Sequence, residues 1–177
     1  DNFFYLLYLE DLGQFYLWFF IATILFIISI YDDYAEIENF KKLFVILLLV
    51  YVYVNSDQTI QIKEFRFSSD EYNFFINNFS IIFTSVCMLS LIIATNMYDG
   101  VNTNSIGYFL FVFLFIFLKS EYNIFFLFIV CSLFFLFILN FSEKLFMGDS
   151  GVNLLFFILG FVIIKMYNLQ LINHIEE

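Results

Sequence analysis

Residues 124–166 read IFFLFIVCSLFFLFIL (Ile124–Leu139), NFSEKLFMGDSG (Asn140–Gly151) and VNLLFFILGFVIIKM (Val152–Met166). Two apolar runs of roughly membrane-crossing length enclose one short polar stretch. An aspartate between two glycines, at the mouth of two membrane helices, is hard to explain as packing. Gly148 and Gly151 carry no side chain, so the backbone can turn tightly and approach a ligand closely. Ser150 suits the N-cap of a helix starting near Val152, where free N–H groups attract an anion. Asp149 could then hold a metal ion against that anion. The same residues would also serve a plain capped turn between two helices, so the rest of the chain has to decide.

Composition decides the class. Of 177 residues 63% are hydrophobic, Phe occurs 30 times and Pro never, and the mean hydropathy is +0.91. This predicts an all-α, polytopic transmembrane bundle. The net charge is -10, and the 17 acidic residues fall in loops and termini, so no basic face exists for nucleic acid. Cys87 and Cys131 lie in apolar runs without metal-ligand spacing or a disulfide framework, and are expected to be buried thiols. The chain starts at Asp1, ends at Glu177 beside an apolar run and carries no cleavable signal, which reads as a fragment of a longer protein.

In order, the apolar run Asn2–Leu9 precedes a clean span, Gln14–Ile30, with Trp18 near its start as an interface anchor. That span ends on Tyr31-Asp32-Asp33-Tyr34. Leu43–Val54 is too short for the ~30 Å core unless Phe40–Lys42 begin the helix, with Lys41 and Lys42 snorkelling outwards. Thr59–Ile62 and Phe65–Phe67 alternate like a small strand pair. Phe74–Thr95 runs into Asn96-Met97-Tyr98-Asp99-Gly100-Val101-Asn102, and Ser105–Leu118 is another short span. About six spans result, with a strand-like hairpin on one side. Two crossings separate Asp32-Asp33 from Asn96–Asn102 and two more separate that from Asp149, so all three polar stretches share one face. Lys41, Lys42 and Lys144 on that face balance Lys63, Arg66 and Lys119 on the other, so the positive-inside rule does not name it.

Each stretch has a plain alternative: a solvated helix end at Asp32-Asp33, a polar turn at Asn96–Asn102, an interfacial anchor at Lys42, a lipid-facing or core ring at Phe146. His174 reads as a surface histidine. Taken together, the carboxylates and carboxamides suit Mg²⁺ and a diphosphate, and no thiolate or imidazole cluster points to zinc.

Those three motifs, in that order and at that spacing, resemble the polyprenyl-phosphate N-acetylhexosamine-1-phosphate transferases. The resemblance covers the middle of that family's chain, without its earlier helices or its later His-rich loop, and implies a single transmembrane catalytic domain over 1–177. It implies that Asp149 ligates Mg²⁺ (or Mn²⁺) with Asn96, and that Phe146 stacks on uracil with Asn102 beside the base. Asp32 and Asp33 would flank the attacking lipid phosphate as base or orienting groups. Lys42 would contact a phosphate, and Asp99 would line the nucleotide-sugar site with Gly100 and Gly148. Many bacterial relatives have Asp then Gly where this chain has Asn102 and Thr103, which bears on the subfamily and sugar pocket.

The implied reaction moves a sugar-1-phosphate from a UDP-sugar to undecaprenyl or another polyprenyl phosphate and releases UMP, initiating a surface polysaccharide or cell-wall glycan. It implies a bacterial inner-membrane protein with cytoplasmic catalytic loops, and allows a homodimer. A secondary transporter coupled to ions would use membrane carboxylates too, but would place them at mid-span rather than at segment ends. A noncatalytic scaffold leaves the three ordered motifs to chance.

Overall fold

A computed structural model of the chain describes residues 12–35, 37–66, 74–96, 104–119, 124–145 and 147–169. Six helices make up most of them: α1 (Leu12–Ala35), α2 (Asn39–Ser56), α3 (Ser80–Asn96), α4 (Asn104–Lys119), α5 (Ile124–Phe141) and α6 (Gly148–Asn168). Five are long and apolar enough to cross a membrane, and α4 is a shorter apolar helix of 16 residues. The protein is an integral membrane protein with an all-α bundle.

In hydrocarbon every polar group must find a partner within the protein. Thr23, Ser85, Ser90 and Ser132 each turn the hydroxyl back onto the carbonyl four residues earlier, at 2.7–2.8 Å. The hydroxyls therefore cost little inside the spans. The outer faces are covered by large apolar side chains such as Phe19, Phe20, Phe111, Phe128 and Phe135, all more than half exposed, as a lipid-facing surface requires.

Helix α6 is the centre. Its span is 67% buried, against 17–28% for the other four long spans. It packs against α1 and α3, and α2 rests on both of those. The α4–α5 pair joins through rings, Phe109 lying 4.4 Å from Phe156 of α6. Trp18 is half-buried and packs at a tilt against the Phe161 ring, 5.5 Å away, so it faces the core rather than anchoring an interface. Cys131 is exposed on the outer face and Cys87 only half-buried, which corrects the expectation of two buried thiols.

One end of the bundle is closed by a hairpin. Here β1 (Glu64–Phe65) pairs antiparallel with β2 (Phe74–Phe75), while Gln58–Ile60 forms a tight helical turn whose Thr59 N–H donates to Asp57. The strand partner is therefore the start of the expected third span, not Thr59–Ile62, and α3 begins only at Ser80. Tyr167, at the end of α6, pins this hairpin: its hydroxyl donates to the Glu64 carbonyl (3.1 Å) and accepts from the Arg66 N–H (2.6 Å). The Arg66 guanidinium lies over its ring at 4.2 Å and donates to its carbonyl. At this end α2 stops, α3 starts near Thr84, whose hydroxyl accepts from the Ile62 N–H, and α6 stops. At the opposite end α1 stops, α2 starts and α6 starts. Since α3 runs away from the hairpin, its Asn96 terminus points to that same end, as the crossing count requires.

Candidate functional site

The end of α1, the start of α2 and the start of α6 converge on one charged side chain. Lys42, its side chain 8% exposed, donates to Asp32 Oδ2 at 2.5 Å and to Asp149 Oδ2 at 3.2 Å. The second bond spans 107 positions of sequence. Lys42 sits in the first turn of α2, one residue beyond Lys41, and the helical twist sends the two in different directions. Lys41 stays in solvent, paired with Glu38 at 2.9 Å, whereas Lys42 turns inward; only the first follows the expected snorkelling.

Asp32 also accepts the Ile37 N–H on Oδ1 at 2.9 Å, which fixes the link between α1 and α2. Asp33, next in sequence and exposed, faces the Ser150 side chain and passes close to Gly148. Asp149 lies in the first turn of α6, where the positive end of the helix dipole favours a carboxylate, and its side chain is 40% exposed. Three carboxylates thus face one ammonium.

Local sequence explains how α6 reaches this point. Helix α5 ends as Glu143 adopts φ +56, the left-handed conformation common after a helix C-terminus, with Lys144 N–H returned to the Leu139 carbonyl at 3.0 Å. Asn140, buried, donates to the Leu145 carbonyl at 3.0 Å and folds the connection back. Helix α6 then starts at Gly148 rather than near Val152, so Ser150 belongs to its first turn and is no N-cap. Gly148 has φ +66, where a side chain would be strained. Gly151 is needed for a different reason: a Cβ there would come within 2.9 Å of Met147 Cγ.

The structure therefore brings Asp32, Asp33, Lys42, Asp149 and Gly148 together. Asp99, Gly100, Asn102 and Phe146 lie outside the described residues, as does the Asn96 side chain. Among the described residues no three acidic, His or Cys side chains form a ready metal cage. Two polar residues escaped the sequence reading: Asn153 donates to Ser29 at 2.8 Å, fully inside the bundle. Their signal was spacing, since Ser29 precedes Asp33 by one helical turn and Asn153 follows Asp149 by one.

Compared with known proteins, residues 15–167 match the model of Glycosyl transferase family 4. No curated protein and no solved structure matches the chain. The match runs from the first described helix to the last and encloses the whole Lys42 cluster. The chain belongs to glycosyl transferase family 4, the superfamily of the polyprenyl-phosphate hexosamine-1-phosphate transferases.

Proposed function

We propose that this chain, a membrane-embedded transferase by its family, transfers N-acetylhexosamine-1-phosphate from a UDP-sugar to undecaprenyl phosphate or a related polyprenyl phosphate, releasing UMP and initiating a surface polysaccharide or cell-wall glycan. The site would face the cytoplasm from a bacterial inner membrane. The observation that carries the reading is Lys42, held between Asp32 and Asp149 at the bundle end.

In the proposed reaction an acceptor phosphate oxygen attacks the β-phosphorus of the UDP-sugar. A new P–O bond forms, the bridging α–β P–O bond breaks, and UMP leaves. Both reactants are anions, so the barrier is dominated by charge and positioning. An ammonium at the mouth of the cleft offsets the acceptor's charge, and Lys42 is placed to do so by exchanging Asp149 for phosphate. Asp32 already accepts from Lys42 and from the Ile37 N–H, which suits a group that orients the lysine rather than one that takes a proton. Asp33, exposed beside Ser150, is the carboxylate left to face the acceptor.

A divalent cation fits this donor set: the side chains offer oxygen ligands, and their charge exceeds that of Lys42 by two. Mg²⁺ or Mn²⁺, when bound, would neutralise the diphosphate. Asp149, the more solvent-accessible of the two carboxylates on Lys42, would hold it with Asn96. Phe146 and Asn102 would take the uracil, and Asp99, Gly100 and Gly148 would line the sugar nucleotide's path.

Asp149→Asn tests the assignment. Transfer should fall by roughly 10²–10³-fold, the loss typical of one removed electrostatic contact, while the detergent-solubilised protein unfolds near the wild-type temperature. Activity within a few-fold of wild type would remove Asp149 from the site.

A further inference from the structure

Helices α1 and α6 share the most extensive contact in the bundle. Below the site the buried residues of α1 are Ile21, Ala22 and Leu25, all apolar, with Ser29 the exception. On α6, Asn153 is the buried polar residue at this end, between Val152 and Phe156, and Lys165 is the other, near the far end. Within a bilayer no hydrophobic force drives one apolar helix face against another, so such packing specifies register weakly. A single buried polar pair specifies it strongly, as one buried Asn does in a coiled coil. Asn153 Nδ2 donates to Ser29 Oγ at 2.8 Å, and the two residues are 2% and 1% exposed. Asn153 Oδ1 is buried without a hydrogen-bond partner among the described residues. The pair thus carries a desolvation penalty that two apolar residues would avoid.

Its place gives the reason. Ser29 lies four residues before Asp33 on the same face of α1, and Asn153 three residues after Ser150 on α6. The Ser29–Asn153 bond is therefore a second rung, about 5.4 Å inside the Asp33–Ser150 contact. We propose that Ser29 and Asn153 are positioning residues for the transfer reaction: they lock α1 against α6 in the register that sets Asp33 on Ser150 and the Asp32–Lys42 pair on Asp149. Slippage by one residue moves the helices by about 1.5 Å, enough to break both contacts. The effect on turnover rests on the sugar-phosphate transferase reading; the register does not, and can be measured without substrate.

The experiment uses the whole chain in membranes, with Cys87→Ala and Cys131→Ala as background and Asp33→Cys with Ser150→Cys as reporter. Mild oxidation should form the disulfide. Asn153→Leu should slow its formation about tenfold, the scale of one interhelical hydrogen bond. Ser29→Ala should do the same, and Ser29→Thr, which keeps the hydroxyl, should restore the parent rate. A second reporter, Glu64→Cys with Phe75→Cys across the hairpin, should be untouched by all three. In the otherwise native chain, Asn153→Leu should lower kcat about 10²-fold with KM for the UDP-sugar unchanged. Site cross-linking as fast with Asn153→Leu as without it overturns the proposal, whatever the turnover. Equal slowing of both reporters overturns it too, by showing a general stabiliser. If only the site reporter slows while the parent chain shows no transfer, the register stands and the transferase reading fails.

Discussion

A lysine in the first turn of a membrane helix can reach outward to water or inward to an acid, and Lys41 and Lys42 take one course each. Lys41 gains little from Glu38, because both are largely solvated and an exposed ion pair is worth 0–1 kcal/mol at about the median. Lys42 is buried, and removing it strands Asp32 and Asp149. Breaking a buried pair costs roughly 3–5 kcal/mol, with the lower end expected here because Asp149 is partly solvated. Lys42→Met should therefore lower the thermal unfolding temperature in detergent clearly and abolish transfer, whereas Lys41→Met should do neither. Equal shifts from the two variants would contradict the inward placement. The glycines show a similar division, Gly148 serving a left-handed backbone and Gly151 making room for Met147.

At the scale of elements, the helices were legible because the bilayer imposes length and apolarity, and composition displays both. Phe40–Lys42 were needed to complete α2, and the helix does begin at Asn39. The inward turn of Lys42 was not legible, since helix-end position alone allows snorkelling or pairing and only the fold supplies Asp149. Neither was the hairpin register: alternation marks a strand but not its partner, and the Phe74–Phe75 pair is apolar enough to read as membrane. The early start of α6 escaped because Gly148 is a poor helix former that the fold nonetheless places in the first turn. At the far end, Tyr167→Phe removes a donor to Glu64 and an acceptor for Arg66. It should cost about 1–3 kcal/mol, the penalty of leaving partners unsatisfied, yet leave transfer within about twofold. A large loss of transfer would mean that the hairpin end communicates with the Lys42 cluster.

Across the whole molecule, the central α6 carries the site at one end and the hairpin latch at the other, so the two ends must lie on opposite sides of the membrane. Single cysteines replacing Asn39 or Glu143 should react with an impermeant thiol reagent from the same side, the cytoplasm under the proposed function, and one replacing Lys63 from the other. A split between Asn39 and Glu143 would break the single-site account. The central claim concerns which bond the site cleaves. Phosphosugar transfer leaves the sugar's phosphate on the lipid and releases UMP; ordinary glycosyl transfer breaks the anomeric bond and releases UDP. Asp149 and Lys42 are suited to gripping phosphates, which favours the first. The direct measurement is to incubate the protein with undecaprenyl phosphate, Mg²⁺ and a UDP-N-acetylhexosamine carrying ³²P at the β position. Label should enter the lipid phase with release of UMP, and added UMP should drive it back, since one phosphoanhydride replaces another. Sugar on the lipid with label left in water as UDP would contradict the account, and no transfer alongside ion-dependent solute uptake would make the protein a transporter.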